Sequence, residues 1–90
     1  MKKAIITVVG KDCVGIIAKV CTYLASENVN ILDISQTIVG GYFNMMMVVD
    51  VQAASKTFDE LAAELDENGK EIGCIIRIQL EDIFDMMHRI

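Results

Sequence analysis

The first loop, from Gly10 to Gly15, holds most of the residues in this chain that could do chemistry. Lys11, Asp12 and Cys13 place a cation, a carboxylate and a thiol between the two glycines. The apolar pattern that follows predicts a helix, whose first backbone N–H groups have no acceptor within the helix and carry the positive end of its dipole. Such a helix start binds carboxylates and other anions. We therefore predict an anion-binding turn at this loop.

Cys13 is the one candidate nucleophile, because a helix start and the neighbouring Lys11 both favour a thiolate. No residue near it in the sequence can serve as a base, and the only histidine, His88, lies in the tail. Cys21 and Cys74 fall on apolar stripes and are predicted to be core residues. We therefore do not expect an enzyme.

The composition excludes several other kinds of partner. Eight basic and 13 acidic residues give a net charge of −5, which argues against binding to a nucleic-acid backbone. A thiolate metal site in the first loop requires a second cysteine, and only Cys13 is there. A phosphate-binding enzyme requires an arginine near this loop, yet none occurs among residues 1–51. We expect no metal and no cofactor.

Three cysteines, an odd count without paired spacing, favour a reducing compartment over a disulfide framework. No apolar run approaches the roughly 20 residues of a membrane span, and we see no signal peptide. The sequence therefore predicts a cytoplasmic protein with no membrane association.

The pattern of apolar residues predicts six main elements along the chain. Alternating or continuous apolar runs predict strands and stripes of period 3.6 predict helices. Gly40-Gly41 predicts a tight hairpin turn, and Thr57 with Glu60 predicts a capping box at a helix start. The predicted elements are a strand over Lys3–Val9, a helix from Gly15 to Asn28, a strand over Val29–Val39, a strand over Tyr42–Val51, a helix from Thr57 to Asn68-Gly69, and a strand over Ile72–Leu80.

The order βαββαβ predicts an α+β, ferredoxin-like fold, with a four-stranded antiparallel sheet and two helices on one face. The 90 residues are predicted to form one domain, with a core over residues 1–81. Residues 82–90 form a tail with Ile83, Phe84 and Met87 at helical spacing, which predicts a short helix.

The sequence also resembles the ACT domain family. The resemblance is carried by Asp12-x-x-Gly15 after the first strand, by Asn28-Val29-Asn30-Ile31 at the second strand, and by Gln36, Gly41, Phe43 and Met45 through the hairpin. It covers the chain to about Leu80 and is greatest for short bacterial ACT proteins related to the glycine cleavage system repressor. This chain has Val14 where the family commonly has proline, which leaves the loop backbone freer.

The resemblance implies a protein that regulates rather than catalyses and that binds an amino acid or a related metabolite between paired domains. It implies that Asp12, Cys13, Val14 and Gly15 line the site, and that Asn30 and Ile31 face it from a neighbouring copy. The alternative roles stay open: Asp12 also fits a helix-capping turn, and Asn30 also fits a turn that satisfies its own backbone.

A sheet with helices on one face leaves its other face open, and both faces of the first and third predicted strands are apolar. Exposed apolar area of this kind favours association, so we expect a homodimer formed by strand-edge pairing, by face packing or by both. The tail could cover part of the open face. A second functional hypothesis is an adaptor that binds a protein partner and whose ligand site is vestigial.

Overall fold

The computed structural model describes residues 2–11 and 15–82. The order of its helices and strands confirms the prediction of a βαββαβ chain. The elements are β1 (Lys3–Gly10), α1 (Ile16–Ser26), β2 (Asn30–Val39), β3 (Tyr42–Asp50), α2 (Phe58–Ile72) and β4 (Cys74–Leu80). Residues 83–90, and with them most of the predicted tail helix, lie outside the described residues.

The four strands form one antiparallel sheet in the order β2-β3-β1-β4, so β1 and β3 are central and β2 and β4 are edge strands. The register defines two ends of the sheet. At one end, Gly10 pairs with Phe43 on one side and Cys74 on the other. At the opposite end, Lys3 pairs with Asp50, which pairs with Asn30. The first loop leaves the sheet at the Gly10 end.

The core lies between the helices and one face of the sheet. Alternate residues of β1, β3 and β4 point into it, as period-two side-chain placement requires. The sequence left open which face meets the helices, and the burial pattern decides it. The buried strand residues of this face are Ala4, Ile6, Val8, Phe43, Met45, Met47, Val49, Cys74, Ile76 and Ile78, and they pack against Ile16, Val20, Leu24, Leu61 and Leu65 of the helices.

The turns and one cap follow the sequence prediction. Gly40 and Gly41 both have positive φ, at 59° and 83°, as a primed hairpin turn requires. Thr57 caps α2: its Oγ1 accepts from the Glu60 N–H at 3.2 Å, and the Glu60 carboxylate accepts from the Thr57 N–H at 3.0 Å. The predicted capping box is confirmed.

The predicted end of α2 at Asn68-Gly69 is wrong, because the helix continues to Ile72 and ends at Gly73 with φ 76°. Gly69 is buried within the helix, where a Cβ would come within 2.7 Å of the Cys74 carbonyl oxygen. Its missing side chain lets α2 approach β4 closely, and this packing outweighs the intrinsic tendency of glycine to end a helix. The last strand consequently starts at Cys74 rather than at Ile72.

The sheet face turned away from the helices carries an exposed apolar patch, as the two-sided apolar pattern predicted. We call Val9, Tyr42, Met46 and Ile75 the open-face patch; they keep between 39% and 59% of their surface exposed. Ile5 lies on the same face and is 7% exposed. The predicted role of the tail in covering this face falls outside the described residues.

Candidate functional site

Gly15 is the residue of the predicted first-loop site that the structure describes, since Asp12, Cys13 and Val14 lie outside the described residues. It is the N-cap of α1 and adopts a left-handed conformation, with φ 81° and ψ −10°. Side chains other than glycine are strained there. It is exposed, and a Cβ built on it would meet nothing within 4 Å, so space remains in front of the helix start.

The start of α1 has no side-chain cap and no acidic residue in its first turn, within the part of the chain described. The first intrahelical bond of α1 runs from the Lys19 N–H to the Gly15 carbonyl at 3.0 Å, so the N–H groups of residues 16–18 precede it. By contrast, the α2 start has a capping box and two acidic residues in its first turn. Among the described residues, the positive end of the α1 dipole is therefore the one without a negative partner.

Asn30 and Ile31 start β2, at the opposite end of the sheet from the first loop. Asn30 is level with Asp50 and Lys3, whereas the loop follows Gly10. The seven steps from Lys3 to Gly10 along β1 span about 23 Å at ~3.3 Å per residue. One copy of the chain therefore does not bring the two predicted halves of the site together.

The edge strand β2 is open along its length. Nine of its ten residues are exposed, Ile31 being half-buried, and its only charged residue is Asp33. The register with β3 shifts between Ile31 and Asp33, which marks a bulge. Ile34 and Ile38 share the helix-side face of the sheet but remain 41% and 70% exposed. A long edge of this kind is a template for pairing with another strand.

A groove on the helix side, between α1 and β2, was missed by the sequence reasoning. It has a volume of about 410 Å³ and is lined by Ile17, Gln36, Thr37, Ile38 and Phe43. It lies at the Gly10 end of the sheet, because Phe43 pairs with both Gly10 and Ile38. The alternation of Ile34, Gln36 and Ile38 indicates that these residues share one face of β2. Nothing in the sequence indicates that α1 leaves this face uncovered.

At the other end of α1, a polar cluster joins the two helices. The Tyr23 hydroxyl donates to the Glu64 carboxylate at 2.8 Å, and the Lys56 ammonium lies 2.6 Å from the same carboxylate. Burial is the largest cause that raises the pKa of Tyr23, and the hydrogen bond to Glu64 is the second. The hydrogen bond from Lys56, followed by that from Tyr23, lowers the pKa of Glu64. Tyr23 is therefore held as a neutral donor, and the cluster is a helix-to-helix contact rather than an acid–base pair.

Within residues 2–11 and 15–82, no group of three or more metal-ligating side chains comes together, and no helix is long and apolar enough to cross a membrane. Cys74 is buried, in agreement with the prediction of a core residue, and Cys21 is half-buried against the core.

Comparison with known proteins identifies the family. Residues 2–79 match the ACT domain family, and the chain belongs to it. A UPF0237 protein of Bifidobacterium longum is 62% identical over 90 residues, covering 100% of both chains. The predicted resemblance and the ferredoxin-like fold are confirmed.

Solved structures agree with the family match. An ACT domain protein from Streptococcus pneumoniae superimposes with a TM-score of 0.83 at 44% identity, covering 93% of this chain and 94% of that one. A proposed glycine cleavage system transcriptional repressor has a TM-score of 0.74 at 21% identity, covering 88% of this chain and 45% of that one. At that identity the likeness concerns the fold. The chain thus has the regulatory ACT fold.

Proposed function

We propose that this chain is a non-enzymatic regulatory module that binds an amino acid or a related metabolite between two copies of itself. The observation that carries the proposal is the start of α1 at the left-handed, exposed Gly15, where no side chain among the described residues caps the helix. The family match supports it, because ACT domains regulate rather than catalyse.

The chemistry of the site suits an α-amino acid. The N–H groups at the start of α1 bind the carboxylate, and Gly15 lets the ligand approach the backbone closely. The ammonium group requires acceptors, which Asp12 of the same copy and Asn30 of a second copy supply. Cys13 and Val14 complete the loop side of the site, and Ile31 completes the other.

A second copy reaches this site if two β2 strands pair antiparallel about a two-fold axis near their centre. The start of one β2 then lies level with the end of the other, so Asn30 of one copy comes near Val39 of its partner. Val39 ends the strand beside the turn to Tyr42, on the Gly10 side of the sheet. This arrangement makes two identical sites per dimer, each drawn from both copies.

Regulation follows from the position of the ligand. A molecule that bridges two copies binds the dimer better than the single chain, so it shifts the association equilibrium by linkage. A ligand of about ten heavy atoms, at roughly 0.3 to 0.8 kcal/mol per atom, binds with a millimolar to micromolar Kd. That range suits a sensor of metabolite concentration.

The first test is a thermal-shift screen with the common amino acids. At a concentration of about 100 times Kd, a ligand stabilises the native state by about 2.7 kcal/mol, which raises Tm by roughly 10 °C or more. Gly15→Ala should abolish the shift. Gly73→Ala is the matched control, because Gly73 also has positive φ, at 76°, and open space around it, but lies beside β4. Equal loss in both variants would contradict a role for Gly15.

The second test asks whether each site uses two copies. Gly15→Ala and Asn30→Ala homodimers should both lose binding. When the two variants are mixed and allowed to exchange subunits, each mixed dimer has one intact site, so about a quarter of all sites should recover. Recovery by titration calorimetry supports a shared site. No recovery, with dimer exchange verified by mass, refutes it.

The second candidate function is a protein-binding adaptor whose ligand site is vestigial. The open-face patch favours it, since its large apolar residues remain exposed on one face. Lys11 lies with its ammonium 5.6 Å from the centre of the Tyr42 ring, and so places a cation beside the patch. If this candidate is correct, no amino acid should produce a thermal shift. A Met46→Asp variant should no longer bind the protein partner.

A further inference from the structure

The groove between α1 and β2, defined above, gives the proposed ligand site a specific chemistry. Its walls are the side chains of Ile17 and Ile38, and Phe43 forms its buried base with 4% of its surface exposed. Gln36 contributes a side-chain amide. None of the described residues that line it carries a charge.

The groove lies beside the start of α1. Ile17 is in the first turn of that helix, two residues after Gly15, so the groove and the first N–H groups share one turn. A ligand whose carboxylate binds those N–H groups therefore has the groove within reach of its side chain.

Polarity decides which side chains fit. A volume of about 410 Å³ is larger than any one amino-acid side chain, so size alone excludes none of them. A charged side chain would lose its hydration without gaining a partner of opposite charge. Glycine and serine would leave the apolar walls uncovered.

We propose that the ligand is an amino acid with an apolar side chain, which occupies the groove lined by Ile17, Ile38 and Phe43. This inference rests on the proposed function, because it uses the same helix start for the carboxylate. It adds the class of side chain, which the family membership does not specify.

Titration calorimetry with leucine, isoleucine, methionine, phenylalanine, glycine, serine, aspartate and lysine tests the inference on the full chain. The apolar amino acids should bind at least about tenfold more tightly than glycine or serine, and the charged ones should not bind measurably. Ile38→Thr, which keeps a β-branched residue, should reduce leucine affinity about tenfold. Ile75→Thr is the control, because it makes the same exchange at a residue that is 59% exposed on the opposite face of the sheet, in β4, and it should leave affinity unchanged.

Three outcomes separate the two proposals. A preference for apolar amino acids that Ile38→Thr removes and Ile75→Thr preserves supports the inference. Equal or tighter binding of glycine, serine or a charged amino acid overturns the inference and leaves the proposed function standing. Absence of binding by every amino acid overturns the proposed function, and the inference with it. Light scattering on both variants verifies that neither substitution has changed the assembly.

Discussion

Pairing through β2 predicts that a lysine at Ile34 breaks the dimer. Ile34 lies near the middle of the edge strand with 41% of its surface exposed, and antiparallel pairing of two β2 strands buries that remainder in both copies. Fully burying an isoleucine side chain is worth about 1.5 to 3 kcal/mol, so the exposed fraction is worth about 0.6 to 1.2 kcal/mol in each copy.

Over two copies, Ile34→Lys therefore removes about 1.2 to 2.5 kcal/mol from association. That loss corresponds to a Kd for the dimer weaker by roughly one to two orders of magnitude. The two ammonium groups face each other across the two-fold axis, so their repulsion adds to this figure, more strongly at low salt. The lysine stem can extend into solvent, and the fold of the single chain should survive.

Sedimentation velocity over a concentration series measures the change, and circular dichroism verifies folding. Ile75→Lys is the matched control: Ile75 is more exposed, at 59%, but belongs to β4 and the open-face patch. We expect Ile75→Lys to leave the dimer intact. The reverse result, with Ile75→Lys dissociating the dimer and Ile34→Lys preserving it, would refute β2 pairing and establish packing through the open face.

Two further predictions concern stability. Gly69→Ala should lower the free energy of unfolding by about 1 to 2 kcal/mol, because contact with the Cys74 carbonyl outweighs the gain of ~1 kcal/mol in helix propensity; a higher Tm by calorimetry would show the close packing to be wrong. Thr57→Ala should remove about 1 kcal/mol at neutral pH. The hydrogen bond from the Thr57 N–H, and secondly the one from its hydroxyl, lowers the pKa of Glu60 from its ordinary value of 4.5. The stabilisation by the capping box is therefore present above pH 4.5 and is lost as the pH falls below it. The difference in unfolding midpoint between Thr57→Ala and the parent chain should narrow in urea titrations below pH 4.5, and a constant difference would count against the capping box.

Much of the fold was predictable because its signals are local. The apolar runs of β1 and β3, the alternation of β4, the Gly40-Gly41 turn and the Thr57 capping box each depend on residues a few positions apart. The end of α2 was not predictable in this way, since Asn68-Gly69 is an ordinary helix stop. Only the close approach of β4 explains why the helix continues past Gly69.

The candidate site was predictable in part. Family resemblance named Gly15 and Asn30, and the structure adds that they lie at opposite ends of one sheet. All six ligand residues stay predictions: Asp12, Cys13, Val14, Gly15, Asn30 and Ile31. The groove could not be predicted, because the exposure of Ile38 depends on how far α1 extends across the sheet. The periodicity of apolar residues in the sequence does not indicate that distance.

The difference between the two helix starts also means that backbone amide exchange can report ligand binding at α1. Backbone amides of residues 16–18 exchange with deuterium freely while they face water, and slowly once an acceptor covers them. The Glu60 amide, already bonded to the Thr57 hydroxyl, provides an internal reference in the same spectrum. A metabolite extract of unknown composition could thus be screened for the natural ligand by amide exchange alone, before any candidate molecule is named.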